Sequence, residues 1–396
     1  MFSIVLLRRT AAASLYFILA FCTFAFSQTL TVLHTFRGSD GETPVGGLIH
    51  GSDGYLYGTT DFGGIRKCGT VFKISQSGKF KSIYSFAGGN DGCNPAGSVI
   101  RDAAGNIYGA TGSGGPWNYG TVFKIDSTGH ESVLYAFTGG SDGRYAESDV
   151  IRDKSGNLYG TTIEGGDFTD CPDGGCGTIF RIDAKGKESV LHAFSGNFID
   201  GLGPTGGPVM DSSGSLYGPA QGGIYSQGYI FKLDAKGSFT DLLDFGPFPS
   251  VNGVDPANDL TLGPGGILYG TTSYGGDLSG CSGIGCGTVF QISNGVETVL
   301  HAFGPPPADV STVSGPLDRD SAGNLYGAAS GGAVNFGAIY KVDSSGNETV
   351  FYSFTGGTDG EGPAGRLYVS STGAVFGTTL FGGNSMNDGV VFKITP

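Results

Sequence analysis

Apolar and polar positions alternate along this chain in short runs, and residues 149–194 show one complete unit. Asp149-Val150-Ile151-Arg152 is a β-branched run, closed by Asp153-Lys154-Ser155-Gly156-Asn157, whose Asp and Gly suit a tight turn. Leu158-Tyr159-Gly160-Thr161-Thr162 follows, then a Gly-rich stretch, then Gly177-Thr178-Ile179-Phe180-Arg181-Ile182. Asp183-Ala184-Lys185-Gly186 turns the chain into Ser189-Val190-Leu191-His192-Ala193-Phe194. Four short strands, with turn signals roughly every 8–12 residues, predict an all-β meander. Outside residues 1–27 no stretch has helical periodicity.

The unit recurs. Its anchor is Leu56-Tyr57-Gly58, repeated at 107–109, 158–160, 216–218, 268–270 and 325–327, with Val375-Phe376-Gly377 as the last copy. A period of this length marks one supersecondary element that buries its apolar faces by stacking on its neighbours. Four-stranded units repeated radially make a β-propeller, and seven anchors predict seven blades. Residues 30–36 match a fourth strand with no first three, and 390–394 match a third strand with no fourth. Pairing these pieces completes one blade and removes an exposed sheet edge. The expected fold is therefore a seven-bladed β-propeller of four-stranded antiparallel blades over 28–396, closed by strand 30–36 against strand 390–394. One face carries only tight turns. The other carries the long second-to-third and fourth-to-first loops, where binding residues usually stand.

Gly156-Asn157-Leu158-Tyr159-Gly160-Thr161-Thr162, Gly165-Gly166, Cys176 to Ile182 and Val190-Leu191-His192-Ala193-Phe194 resemble the bacterial GloVer tandem repeat of choice-of-anchor proteins. The likeness recurs through nearly all of 28–396. It implies an exported bacterial repeat protein and brings no catalytic residues with it. Family members often end in an anchor or sorting tail; the last residue here, Pro396, directly follows a strand, so free secretion or periplasmic residence is expected. The Asp-x-x-Gly-Asn-Leu-Tyr stretch is also similar, more generally, to NHL-type and lactonase- or lyase-type propellers.

Gly supplies 75 of 396 residues, at fixed repeat positions, and aromatics supply 12%, so the glycines punctuate a folded chain. Residues 1–27 have the form of a secretory signal: Arg8-Arg9, an uncharged run from Ala11 to Phe26, and Ala25-Phe26-Ser27 as a cleavage site. A retained anchor is the alternative, but the run is short of the roughly 20 residues a span needs. The formal net charge is −13, and cleavage makes it more negative. That argues against nucleic acid and anionic membrane surfaces as partners. A monomer is expected, without stable membrane insertion.

Six cysteines remain after cleavage, an even number suited to an oxidising compartment. Cys171/Cys176 and Cys281/Cys286 can each close a small loop, and elimination leaves Cys68 with Cys93. Zinc is the alternative for such thiolates, but no histidine neighbours them.

Five groups of residues are candidates for chemistry. Trp117, Tyr119, Tyr145, Phe168, Tyr225 and Tyr274 stand in long loops, where exposed rings often anchor ligands such as carbohydrate or envelope polymer. His50, Arg101, Arg152 and Arg319, with Asp318, lie on first strands, which line the channel; they either form a site there or pair with neighbouring blades. Asp40, Asp91, Asp142, Asp200 and Asp359, with Asp255 and Asp309 as weaker counterparts, form turns or a Ca²⁺ ring. His34, His192 and His301 share a repeat position with Tyr84, Tyr135 and Tyr352 and read as packing. Lys73, Lys124, Arg181, Lys232, Lys341 and Lys393 recur on third strands and read as blade-to-blade ion pairs. No nucleophile elbow, zinc-protease helix or phosphate loop is present, and no cofactor other than Ca²⁺ is suggested. The expected function is a non-catalytic binding or surface-interaction module; a channel-centred lyase, lactonase or other hydrolase is the runner-up, and a purely structural surface protein the third reading.

Overall fold

A computed structural model describes residues 28–197, 200–256, 258–305, 309–332 and 334–396, so the expected signal segment 1–27 lies outside the described residues. Seven antiparallel sheets surround a central channel. Blade 1 consists of Ile49–His50, Tyr55–Thr60, Thr70–Ser75 and Phe80–Ser85, from the axis outward. Blade 7 takes Glu361–Val369, Val375–Phe381 and Val390–Thr395 from the C-terminal end and Thr29–Thr35 from the N-terminal end. The closing register runs from Thr29 opposite Thr395 to Thr35 opposite Val390. The ring is shut as the repeat arithmetic predicts.

The core is a series of seams, each shared by two blades. Tyr57, Val71 and Phe86 of blade 1 pack with Val99, Ile107 and Phe123 of blade 2. Phe36 and Phe376 of blade 7 pack with Leu48, Leu56 and Phe72 of blade 1, so apolar contact also crosses the closure.

The Leu-Tyr-Gly signature has a separate physical reason at each residue. Its Leu is buried in a seam. Its Tyr hydroxyl donates to an Asp of the preceding tight turn: Tyr57 to Asp53 (2.6 Å), Tyr108 to Asp102 (3.0 Å), Tyr159 to Asp153 (3.1 Å) and Tyr217 to Asp211 (3.0 Å). Its Gly faces the third-strand aromatic. A Cβ on Gly160 would stand 2.5 Å from the Phe180 ring, and one on Gly109 would stand 2.6 Å from Phe123.

The fourth-to-first loops are closed by a carboxylate that engages the fourth strand. His34 meets Asp40 at 3.0 Å, and His192 and His301 meet Asp200 and Asp309, each at 3.3 Å. Tyr84, Tyr135 and Tyr352 donate to Asp91, Asp142 and Asp359 at 2.9, 2.9 and 3.1 Å. Blade 4 has Leu243 in place of the His or Tyr, and its loop turns on Asn252-Gly253. Asp255 falls three residues further on, with φ 62°, at the position of Tyr145 (φ 61°) in the preceding repeats. It is not a turn carboxylate.

The third-strand cations do not make the expected ion pairs. Lys73, Lys124 and Lys232 sit over the rings of Tyr55, Tyr108 and Tyr217 within their own blades, at 4.5, 6.0 and 5.5 Å. The register explains the last two, because Lys124 and Lys232 lie opposite the signature tyrosines Tyr108 and Tyr217 across the second-to-third strand ladder; Lys73, opposite Tyr57, reaches Tyr55 two residues along the same strand.

Disulfides join Cys68 to Cys93, Cys171 to Cys176 and Cys281 to Cys286, all on the long-loop face. Disulfides persist in oxidising compartments, so three of them point to an extracytoplasmic protein. Among the described residues no helix is long and apolar enough to cross a membrane.

Candidate functional site

Each blade reaches the axis at one ring position: Gly47, Ser98, Asp149, Gly207, Asp259, Pro316 and Arg366; in blades 1–5 the axial strand pairing begins two residues later, and in blades 6 and 7 the position lies within Val313–Arg319 and Glu361–Val369. Small residues here and just before let neighbouring blades approach closely; a Cβ on Gly97 would stand 2.5 Å from the Ser148 carbonyl oxygen. Hydrogen bonds then lock each blade to the next. Ser98 Oγ accepts from Gly47 N (2.9 Å), Asp149 from Ser98 N (2.6 Å), and Asp259 from Gly207 N (2.6 Å). Thr161 donates to the Gly206 carbonyl at 3.0 Å and Asn258 accepts from Gly315 N at 2.8 Å. Asp318 accepts from Val369 N at 2.8 Å, and Leu48 N closes the circle onto the Arg366 carbonyl at 2.9 Å.

This ring encloses a channel cavity of about 610 Å³, lined by residues of all seven blades. Its charged groups are Glu147, Asp149, Asp255, Asp259 and Arg366. The Arg366 guanidinium is held by the Leu317 carbonyl (3.2 Å) and Thr261 Oγ1 (3.3 Å). Gly207 separates Asp149 from Asp259 and has no side chain to keep them apart. Protein surrounds the Asp259 carboxyl, and this desolvation, followed by the Asp149 charge, raises its pKa far above the ordinary range; Arg366 opposes the rise.

The cavity continues at the long-loop face into a groove of about 630 Å³ between the loops of blades 4 and 5. Leu202, Gln221 and Asp255 line both spaces. The groove adds Phe248 and Tyr274, 46% and 40% exposed, together with Val254, Asn197 and Gln227. A smaller recess of about 280 Å³ opens toward blades 1–3, past Asp61, Tyr145 and Glu147. Burial raises the pKa of Asp61; burial, then the charges of Asp61 and Glu164, raises that of Glu147.

Of the loop aromatics predicted from the sequence, Tyr274 lines the groove and Tyr145 lines the recess. Tyr119 and Tyr145 pack edge to face at 6.0 Å, with the Arg144 guanidinium over both rings. Trp117 is exposed at the tip of the blade 2 loop, Phe168 lies in the blade 3 loop, and Tyr225 packs against Gly246.

The first-strand cations lie toward the tight-turn face and engage the preceding blade. Arg101 bonds Ser52 (3.2 Å), approaches Asp53 (3.7 Å) and covers the Tyr57 ring; Arg152 and Arg319 cover Tyr108 and Tyr269. His50 stacks on Tyr368 at 4.8 Å. The structure does not bring these four together with Asp318 around one point. Six of the seven loop carboxylates are occupied by the His and Tyr contacts above, and among the described residues no three His, Cys, Asp or Glu side chains are arranged to hold a metal ion.

Sequence reasoning missed Asp149, Asp259 and Arg366. Their signal was the ring position itself, small or uncharged in four blades and charged in three. It becomes visible only once the repeats are aligned on their first strands.

Fold and channel define a seven-bladed β-propeller with an acidic axial cavity open on its long-loop side. The model of the Gloeobacter/Verrucomicrobia repeat matches residues 21–171 and 168–392, and the chain belongs to that family. No curated protein matches the sequence. Among solved structures, virginiamycin B lyase from Staphylococcus aureus is 13% identical with a TM-score of 0.57, over 93% of this chain and 99% of its own. The extracellular domain of a one-component system from B. thetaiotaomicron is 13% identical with a TM-score of 0.59, over 93% of this chain and 42% of that one. Puromycin hydrolase is 14% identical with a TM-score of 0.56, over 86% and 50%. At these identities the likeness is one of fold.

Proposed function

We propose that this protein is an exported, non-catalytic binding module that takes a saccharide of an envelope or extracellular polymer on its long-loop face. The observation that carries this reading is the continuous space from the axial channel into the groove beneath Tyr274 and Phe248. Concave sites with apolar walls and a few placed polar groups are where small ligands bind. The flat rings suit the C–H faces of a sugar, and the Gln221, Gln227 and Asp255 side chains supply donors and acceptors for its hydroxyls. Export is supported by the signal-like segment 1–27 and by the three disulfides.

Calorimetric titration with soluble glucans, chito-oligosaccharides and peptidoglycan fragments tests the reading. We expect at least one to bind without being turned over, with affinity falling tenfold or more in Tyr274→Ala and holding in Trp117→Ala. Absence of saccharide binding, or binding indifferent to Tyr274→Ala, contradicts it.

A second reading has one specific observation in its favour. A carboxyl whose pKa is raised by burial beside a second carboxyl group is the usual equipment for proton transfer in hydrolysis or elimination, and Asp259 beside Asp149 has that form. The solved propellers of similar fold include a lyase and a hydrolase. Turnover in an esterase, lactonase and lyase screen that disappears in Asp259→Asn favours this reading over binding alone.

A further inference from the structure

We propose that the rim of the long-loop face, outside the cavity, docks a cationic polypeptide that presents apolar side chains among its lysines and arginines. The second-to-third loops hold large apolar residues out in water. Ile65 of blade 1 is 82% exposed, Met386 of blade 7 73%, Ile224 of blade 4 66% and Trp117 of blade 2 60%. Blades 3 and 6 add Phe168 and Phe336. None of these six lines the cavity or the groove, so the inference does not depend on what fills that space. At the tight-turn end, Val296 is the large apolar residue exposed by more than half among the described residues. Apolar groups gathered on one face of a soluble protein mark an interaction surface.

Charge says what covers it. In the loops of this face the basic residues are Arg37, Arg66, Lys67 and Arg144, and Arg144 is already paired with Glu164 at 2.6 Å. In the same loops as the apolar tips stand Asp167, Asp170, Asp173 and Asp277, among other carboxylates. Among the described residues the remaining lysines and arginines, apart from Arg366 in the channel, lie on the strands and tight turns. The face is therefore apolar and acidic together. A second copy presenting the same face would oppose like charges, and anionic lipid or nucleic acid would be repelled. A basic amphipathic polypeptide buries the tips and complements the carboxylates, which is how interfaces combine anchoring with a charged rim.

The test is fluorescence anisotropy with a synthetic amphipathic peptide of lysine and leucine and its glutamate–leucine counterpart, using the full mature chain. We expect micromolar binding of the lysine peptide, weakening as salt rises, and none of the glutamate peptide. The combined variant Ile65→Ser, Trp117→Ser and Ile224→Ser should lose at least tenfold while keeping the wild-type melting temperature, because all three tips are in solvent. Lys185→Glu with Lys236→Glu, on the opposite face, should change affinity less than twofold. The proposal is overturned if the serine variant binds equally well, if the opposite-face variant tightens binding as bulk charge would require, or if the protein self-associates or binds phosphatidylcholine vesicles while ignoring the peptide.

Discussion

The tyrosine of Leu-Tyr-Gly does two jobs at once: its hydroxyl holds a turn carboxylate, and its ring supports the next blade's arginine, as Tyr57 does for Asp53 and Arg101. These contacts differ from blade to blade, which makes their contributions separable. Tyr159→Phe removes a hydroxyl that donates to Asp153, and urea denaturation should show a loss of about 1 kcal/mol. Tyr269 follows the turn Gly263-Pro264-Gly265-Gly266, which has no carboxylate, so Tyr269→Phe should leave the midpoint almost unchanged. Gly160→Ala drives a methyl into the Phe180 ring and should cost about 1–3 kcal/mol. The signature was legible as a repeat, but its causes were not. The hydroxyl's acceptor lies four residues back at Tyr57 and six back at Tyr108, Tyr159 and Tyr217, the arginine's ring lies one blade away, and a linear pattern marks neither contact.

On the fourth strands, blades meet through paired residues. His34 stacks on Phe80 at 3.7 Å and His192 on Phe239 at 3.8 Å, each ring belonging to the following blade. Where the preceding blade carries Tyr84 or Tyr135, the following one begins its strand with Glu131 or Glu188. Glu297 and Glu348 take the same place in blades 5 and 6. The four Oε1 atoms are shielded from solvent and have no hydrogen-bond partner among the described residues. Burial pushes each of these carboxyls up to about 7, helped by Asp91 beside Glu131, Asp142 beside Glu188 and Asp309 beside Glu348, where His301 opposes. A carboxyl that ionises later in the folded than in the unfolded chain makes the fold lose stability as pH rises between the two values. His301, held protonated by Asp309 against its own burial, acts in the same direction; His192, whose burial disfavours the charged form, acts against it. Melting temperature should therefore fall from pH 5 to pH 8, with Asp241 and Asp259, also raised by burial, adding to the fall, and Glu131→Gln with Glu188→Gln should flatten part of it. A melting temperature that rises over this interval contradicts the assignment. The His/Tyr position was readable as packing, since two dissimilar rings share it. Its coupling to a carboxylate six to eight residues on, and to the next blade's Glu or Phe, needed the ring of blades.

At the scale of the whole molecule, the first and last strands make one sheet, and both bordering seams use residues of Val390–Thr395. Deleting 390–396 strips Thr29–Thr35 of its partner and opens two seams, so this chain should show no cooperative unfolding transition by calorimetry. A circular permutant joining residue 396 to residue 28, opened in the 184–187 turn, should melt close to the wild type. Blade count, closure and the division into a tight-turn face and a loop face were all legible, because period and end fragments encode them directly. The cavity was legible only as a location, since its walls are short segments of all seven blades that converge across the axis.

The central claim is that binding belongs to the long-loop face. Hydrogen exchange of the whole protein, with and without the best-binding saccharide of the panel, tests it most directly. Protection should rise in 196–202, 221–228, 246–255 and 274–284, around the groove and the channel mouth. Protection confined to the tight turns at 102–106, 153–157 and 320–324, or equal on both faces, would contradict the claim.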